Sequence, residues 1–575
     1  MKRRDFLRAS AAAGLAVPVL SGCSAPGLSS GNNDSRNGGG GPDSGNTNAF
    51  PFGVGSGDPL HDRVILWTAL SDAGTTGSNT RTVTCQVAED PDFQSVVLAQ
   101  MLSTSAQQDY TIKLDAAGLN EDRHYWYRFI DDNDAVSPVG RTRTMPRPGR
   151  FTERLRFAVA SCSNMPSGYF SVYRMIANRP DIDAVLHLGD YVYEYDNEEY
   201  GDMREVEPPH EMVTLSDYRL RYATYRKDAD LAEVHRIFPM IAIWDDHESA
   251  NDSYRDGAEN HNEGEGDWAT RKAAAVQAYY EWMPIRPAQS ADSAGLIYRR
   301  FIYGDLVDLM MLDTRLVGRD EPLALGTGEF DRFDEDRELL GPEQRQWLFE
   351  QLSDSKTRNV TWRMLGQQVM LGQLQLGELP NLGFDDAAVL SSIFAFNMDQ
   401  WDGYAAERLR LLNFVEDNNI NNLVVLTGDI HTSWANEIYK NPASLAGDLL
   451  AQKPLAAEFV CPSVTSPGFP DGAAEAAAFA LPFTNPHIRY AELKTHGFIL
   501  LDITHERSQA EWYYASSITD ESLIGEENGS LTKVVSVASS DTRTNRLDED
   551  AAPSRAPLAR NAVFAPITAE PSRKA

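Results

Sequence analysis

The sequence is poor in cysteine, which limits how the chain can be stabilised. Only four cysteines occur among its 575 residues, at Cys23, Cys85, Cys162 and Cys461. So small a number does not provide a disulfide framework, even in an exported protein. If Cys23 is modified during processing, three thiols remain, and at least one of them is unpaired or bound to another group.

Positive charge is also scarce. The chain has 52 Lys and Arg against 84 Asp and Glu, which gives a formal net charge of −32. Such a surface repels a phosphate backbone, so we expect no general nucleic-acid binding. The same charge does not exclude a phosphate ester as substrate, because bound metal cations reverse the field locally.

The N-terminus carries a recognisable export signal. Arg3 and Arg4 precede Phe6-Leu7, an apolar stretch follows, and "LSGC" ends at Cys23. The apolar stretch is too short to cross a bilayer as a mature helix. The arginine pair resembles a twin-arginine signal, and "LSGC" resembles a lipoprotein processing box. Residues 1–23 therefore predict export to the periplasm or the cell surface, with membrane attachment through a lipidated Cys23.

Composition divides the rest of the chain into four further segments. Residues 24–49 are rich in Gly, Ser and Asn and predict a disordered tether. Residues 50–147 contain short β-prone runs divided by turn residues, which favours a small antiparallel sandwich. In residues 150–535 apolar strands alternate with helical patterns, as in an α/β layered domain. Residues 536–575 are predicted to be an irregular tail.

Polar side chains follow several of the predicted strands of the α/β region. Open α/β sheets place their sites at the carboxyl ends of strands, so we expect these groups to converge. Each one alone has an ordinary structural explanation, but many carboxylates at one edge repel each other unless cations or protons neutralise them. The residues in question are Cys162, Asp190, Tyr193, Asp245, Asp246, His247, Glu248, Gln367, Gln368, Asp429 and His431.

The residue types indicate which cations would bind. Zinc sites favour several His or Cys ligands, and only Cys162 and His431 fit that pattern. Carboxylate and amide oxygens favour hard ions such as Ca²⁺, Mg²⁺ or Mn²⁺. A thiolate together with a phenolate favours a strongly electron-accepting ion, for which ferric iron is the natural candidate. The set therefore predicts a mixed site of iron and one or more hard divalent ions.

Several motifs resemble one enzyme family in both kind and order. "GDYVY" at residues 189–193 fits G-D-x-x-Y, "DDHE" stands where calcineurin-like metallophosphoesterases have G-N-H-E, and "GDIH" stands for their G-H-x-H. Together with "FPFGVGSGDP", "VILWTAL", "ASCSN", "LGQQVM" and "TGDIHTSW", they make residues 50–515 resemble the PhoD-type alkaline phosphatases. The resemblance implies an α/β, four-layer αββα metallophosphoesterase domain preceded by a small antiparallel β-sandwich domain. It also implies twin-arginine export and a site with ferric iron and calcium.

The resemblance also implies roles for individual residues. Iron would be bound by a thiolate, a phenolate and an imidazole, calcium by carboxylates, and one carboxylate would bridge the metals. His247 would face the phosphate as the catalytic group. Arg315 in "LDTR" is a candidate for binding the substrate anion, or alternatively a surface arginine that pairs with Asp313 or another acid. The predicted metal ligands are Cys162, Tyr193 and His431 for iron, Asp190 as the bridge, Asp246 and Asp429 for calcium, and Gln367 (or Gln368) for the remaining position.

The predicted function is metal-assisted hydrolysis of phosphate esters by an exported monomer. Two metals would clamp the ester and activate a hydroxide for in-line attack. One alternative is a phosphodiesterase or phospholipase D-type enzyme with the same site. Another is an anion-binding lipoprotein without turnover, which the presence of His247 disfavours because simple binding needs no leaving-group acid.

Overall fold

The computed structural model describes the chain from residue 49 onward, with several gaps. The predictions for residues 1–48, which include the export signal, Cys23 and nearly all of the tether, lie outside the described residues. The described residues are 49–71, 80–286, 296–324, 331–374, 397–440, 442, 452–469, 474, 481, 485–520, 529–540 and 545–554.

The N-terminal region contains antiparallel strands on two sides of a common core. Three strands pair in the order β1-β2-β5, and the others form a sheet in the order β4-β3-β6-β7. Apolar side chains that alternate along the strands, such as Leu66, Leu114, Val83 and Phe129, meet between them. The strands are β1 (Val54–Gly57), β2 (Arg63–Ala69), β3 (Thr80–Ala88), β4 (Val96–Ser105), β5 (Thr111–Ala117), β6 (His124–Asp131) and β7 (Gly140–Arg143).

The larger region contains two sheets. In the described part of the chain, a ten-stranded sheet has the order β21-β20-β19-β18-β8-β9-β10-β1-β2-β5, and a seven-stranded sheet has the order β11-β12-β13-β14-β16-β15-β17. The further strands are β8 (Arg154–Ala160), β9 (Ala184–His187), β10 (Pro239–Ala242), β11 (Arg299–Tyr303), β12 (Val307–Met311), β13 (Trp362–Gln367), β14 (Leu423–Thr427), β15 (Ser433–Ile438), β16 (Ala456–Val460), β17 (Ile488–Glu492), β18 (Gly497–Thr504), β19 (Arg507–Ala515), β20 (Gly529–Ala538) and β21 (Leu547–Asp548).

Helices cover the sheets. The helices are α1 (Ser171–Ala177), α2 (Leu215–Arg226), α3 (Ala229–Ile237), α4 (Trp268–Trp282), α5 (Gly341–Thr357) and α6 (Ala405–Asp417). Several begin as capping rules expect: Thr214 and Asp217 form a capping box at α2, and Pro342 lies in the first turn of α5.

Alternating side chains of the seven-stranded sheet explain the layering. Leu309 and Leu426 join the core shared with the ten-stranded sheet, whereas Met310 and Val425 join a second core with α5 and α6. Side chains on successive strand residues point to opposite faces, so β12 and β14 are covered on both sides. The predicted fold class, an αββα domain with an N-terminal antiparallel sheet domain, is confirmed.

The strand pairing differs from the sequence prediction at two places, near the N-terminal domain and near the C-terminus. β1 pairs in parallel with β10, so three N-terminal strands extend the ten-stranded sheet instead of forming an isolated sandwich. β20 continues to Ala538 and β21 pairs with it at Leu547–Asp548, within the segment expected to be irregular. Strand pairing on an existing edge holds these segments, and Val537 and Leu547 are buried there.

The parallel strands direct their carboxyl ends to one region. β8, β9 and β10 are mutually parallel, as are β12, β13, β14 and β16. A parallel bridge between Ser161 and Ser463 joins the segments that follow β8 and β16. The two sheets therefore meet at the edge where their parallel strands end.

Candidate metal centre and active site

The loops that follow the parallel strands adopt a strained backbone conformation. Cys162, Asp190, Asp429 and His431 have φ angles of 62°, 55°, 60° and 60°. Residues with a side chain seldom adopt this left-handed region, and such outliers cluster at functional sites. Four of the predicted ligands thus lie at sharp turns that a simple strand-to-helix connection does not require.

The three predicted iron ligands and the predicted bridging carboxylate come together. Donor atoms of Cys162, Asp190 and His431 lie within 4.8 Å of one another. The Tyr193 hydroxyl donates to Oδ2 of Asp190 at 2.8 Å and lies 3.2 Å from Nε2 of His431. All four side chains are buried. The structure therefore places a thiol, a phenol, a carboxyl and an imidazole around one point.

Two further groups of acidic side chains adjoin the first. Asp190, Asp246 and His247 form one group, and Asp245, Asp246 and Asp429 form the other. Asp190 and Asp246 are shared between groups, as expected of ligands between neighbouring cations. Asp245 was not among the predicted ligands, although it stands beside Asp246 in "WDDHE" and follows the same strand.

The electrostatics of these carboxyls favour bound cations. Burial raises the pKa of Asp190 and of Asp245 well above the usual range, and neighbouring carboxylates raise both further. Oδ1 of Asp190 and Oδ2 of Asp245 are buried and accept no hydrogen bond from the described residues. A buried carboxylate oxygen without a donor is costly, and a cation would satisfy it. The residues present therefore fit metal ions.

Arg315 lies beneath the carboxylates and is fully buried. Its Nη1 donates to Asp399 at 2.8 Å and its Nη2 to Asp429 at 2.7 Å, while Nε bonds Asp245. Arg315 therefore pairs with acids, as the alternative expects, but it is buried and does not lie at the surface. Asp313 accepts the backbone N–H of Arg315. Binding of a substrate anion by Arg315 stays a prediction.

The two candidate glutamines are held by other groups. Oε1 of Gln367 accepts from the indole of Trp401 at 2.8 Å, and Oε1 of Gln368 accepts from Thr314. The amide that contacts the acidic cluster is that of Gln400, whose Nε2 donates to Oδ2 of Asp429 at 2.6 Å. Gln367 as a metal ligand stays a prediction. Gln400 follows no predicted strand, so its sequence position gave no signal.

His247 is oriented by a carboxylate that sequence reasoning missed. Nδ1 of His247 lies 2.6 Å from Oε2 of Glu194, and both side chains are buried. The other oxygen of Glu194 accepts from the backbone of Asn251 at 2.7 Å and from Nδ2 of Asn260 at 3.0 Å. Burial opposes a charge on His247, but Glu194 and nearby aspartates raise its pKa to about 10. Glu194 directly follows the "GDYVY" motif, and that adjacency was the available signal.

Glu248 fastens the loops that follow β9 and β10. It accepts from the backbone N–H groups of Asp190, Tyr191 and Asp245 at 3.1, 2.7 and 2.8 Å. The loops approach so closely that a Cβ on Gly189, at φ 109°, would lie 2.4 Å from Cβ of Asp245. Glu248 therefore sets the relative position of two candidate ligands, Asp190 and Asp245.

The chain is similar to known phosphatases over most of its length. The family description "PhoD-like phosphatase" matches residues 157–512, and "PhoD-like phosphatase, N-terminal domain" matches residues 36–146. It is 35% identical to alkaline phosphatase D of Bacillus subtilis (strain 168) over 491 residues, which cover 83% of this chain and 79% of that protein.

A solved structure described as "Structure of PhoD" gives the same result. It superimposes with a TM-score of 0.77 at 33% sequence identity, covering 88% of this chain and 93% of that one. The family predicted from the motifs is confirmed. The chain belongs to the PhoD-like phosphatase family and is a phosphoric ester hydrolase.

Proposed function

We propose that the chain is an exported, metal-dependent alkaline phosphatase that hydrolyses phosphate monoesters. The observation that carries this proposal is the convergence of Cys162, Asp190, Asp246, Asp429 and His431 at the edge where both sheets end. The family match and the name of the Bacillus relative support the reaction class.

We propose ferric iron and calcium as the cofactors. Cys162, Tyr193 and His431 would hold the iron, Asp246 and Asp429 the calcium, and Asp190 would lie between them. The thiol and phenol suit ferric iron, and the carboxylates suit a hard divalent ion. When bound, such ions stabilise the phosphoryl oxygens and lower the pKa of a coordinated water.

The chain's own residues would contribute orientation and a proton. Glu194 fixes Nδ1 of His247, so Nε2 is the nitrogen through which His247 acts on the ester. A protonated His247 can hydrogen-bond a phosphoryl oxygen or protonate the leaving oxygen. Arg315 balances the charge of Asp245, Asp399 and Asp429 and holds their carboxylates in position.

A turnover assay with purified protein tests the reaction. We expect hydrolysis of 4-nitrophenyl phosphate that falls on prolonged chelation and returns with added calcium and iron. A preference for bis(4-nitrophenyl) phosphate would instead identify the phosphodiesterase alternative. No turnover of either ester by metal-loaded protein would contradict the proposed function.

The proposed location rests on the N-terminal motifs. Among the described residues, no helix has the length and apolar character needed to cross a membrane. We expect replacement of Arg3 and Arg4 by Lys to leave precursor in the cytoplasm, and Cys23→Ser to abolish membrane attachment. Unchanged fractionation of both variants would contradict twin-arginine export and lipidation.

A further inference from the structure

The segment that follows β16 connects the second sheet to two predicted iron ligands. The backbone N–H groups of Thr465 and Ser466 donate to the carbonyl oxygen of Cys162 at 3.3 and 3.2 Å. Val464 donates in the same way to Ser161 at 2.9 Å. β16 belongs to the seven-stranded sheet, whereas Cys162 follows β8 of the ten-stranded sheet. These bonds therefore hold the loop after β16 against the loop after β8.

The Ser466 hydroxyl lies between the two ligands. Its oxygen is 2.6 Å from the hydroxyl oxygen of Tyr193 and 2.9 Å from the carbonyl oxygen of Cys162, and the side chain is fully buried. A serine hydroxyl has one hydrogen, so it donates to one of these oxygens at a time. The Cys162 carbonyl already accepts two backbone N–H groups, so it stays satisfied when that hydrogen turns to Tyr193.

Tyr193 needs such a donor once it acts as a ligand. In the structure its hydroxyl donates to Oδ2 of Asp190 at 2.8 Å. A phenol binds a metal cation as phenolate, which accepts hydrogen bonds and donates none. Hydrogen bonds to an anionic oxygen are about twice as strong as neutral ones. The buried Ser466 hydroxyl at 2.6 Å is placed to supply one.

We propose that Ser466 is a positioning residue that holds the Tyr193 oxygen at the metal site by donating a hydrogen bond to it. The inference rests on the proposed function, because it assumes that Tyr193 binds ferric iron. Ser466, in the segment that follows β16, would act through the Tyr193 ligand and would not itself bind the metal.

The test is Ser466→Ala, which removes one oxygen and leaves little cavity. A donor stabilises the phenolate electrons, so its loss lowers the energy of charge transfer to iron. We expect the visible band of the ferric protein to move to longer wavelength. We also expect iron loss to a chelator about tenfold faster, which corresponds to one charge-assisted hydrogen bond.

The neighbouring residue provides a matched control. Thr465 is also buried, but its hydroxyl donates to the carbonyl of Asn164 at 2.7 Å. We expect Thr465→Val to keep the wild-type band and rate of iron loss, and Ser466→Thr, which retains a hydroxyl, to keep the band.

The outcomes separate this inference from the function on which it rests. A wild-type protein that hydrolyses phosphate esters but holds no iron and shows no band removes the iron assignment, and with it the role of Ser466. A wild-type band that Ser466→Ala leaves unchanged, with unchanged iron loss, overturns the inference alone. Equal shifts in Ser466→Ala and Thr465→Val also overturn it, because they indicate general loosening of the segment.

Discussion

At the scale of single residues, the site depends on groups that hold its ligands as much as on the ligands. Asp190, for example, has its backbone N–H bonded by Glu248, its Oδ2 by Tyr193, and its Oδ1 by no donor. His247 is fixed by Glu194, and Asp429 by Arg315 and Gln400. Supporting partners of this kind orient ligands and tune them.

Glu194→Gln tests the support of His247. The substitution keeps the shape of the side chain but removes the anionic acceptor of Nδ1. If His247 protonates the leaving oxygen, we expect kcat for an alkyl phosphate to fall about 100-fold, the typical contribution of a general acid. The loss should be smaller for 4-nitrophenyl phosphate, whose leaving group needs no proton, and KM should change little.

Glu211→Gln is the matched control. The carboxylate of Glu211 accepts hydrogen bonds from Asn260, which also bonds Glu194, and from Arg271. Neither of these bonds to Glu211 involves His247. It should retain wild-type kinetics on both esters. An equal loss on both esters in Glu194→Gln would contradict the role of His247 as acid and leave Glu194 a structural residue.

The sequence predicted most of the site residues that follow strands and missed Gln400 and Asp399, which do not. Cys162, Asp190, Asp246, Asp429 and His431 were predicted because each stands directly after an apolar run. Gln400 and Asp399 come before α6, far from any strand end, and contact the site only through the fold. Their contribution depends on long-range packing, which a single sequence does not show.

At the scale of elements, close approach of two loops determines the geometry of the centre. The loops after β9 and β10 meet at Gly189 and Asp245, and Glu248 bonds both. The strands themselves were predictable from apolar runs, and so was the convergence of their ends. The contact of Gly189 with Asp245 was not predictable from the sequence, because it depends on how neighbouring strands pair.

Gly189→Ala tests this contact. The added Cβ would lie 2.4 Å from Cβ of Asp245 at a φ of 109°, so both loops must move. We expect the free energy of unfolding to fall by about 1–3 kcal/mol and activity to fall with the displacement of Asp190 and Asp245. Denaturant unfolding and the turnover assay measure the two effects.

Gly149→Ala separates strain from collision. Gly149 also has a positive φ, of 81°, but a Cβ there meets no atom within 4 Å. We expect Gly149→Ala to lower the free energy of unfolding by about 1 kcal/mol, from backbone strain alone, and to retain activity. Equal losses in both variants would contradict the importance of the contact between the loops.

At the scale of the whole molecule, a lysine of the N-terminal strands bonds a helix of the larger domain. Lys113 on β5 donates to the backbone carbonyl of Tyr280 in α4. Burial lowers the pKa of Lys113 to about 7, from 10.5. Three strands of the predicted sandwich, β1, β2 and β5, also belong to the ten-stranded sheet.

Lys113 should make stability depend on pH. Between pH 7 and about 10.5 the unfolded chain binds a proton on Lys113 that the folded chain does not. The free energy of unfolding therefore rises with pH across this window, and the cost of burying the charge is greatest below it. We expect Lys113→Met to reduce that slope in denaturant titrations. An unchanged slope would show that Lys113 keeps its ordinary pKa.

The central claim is that the strand ends form a mixed iron and calcium centre on which hydrolysis depends. Elemental analysis of the purified native protein, made beside the turnover assay and repeated for Cys162→Ala, tests it most directly. We expect iron and calcium in the native protein, with loss of iron and of most activity in the variant. Full activity of a protein that contains neither metal, or of Cys162→Ala with unchanged metal content, would contradict it.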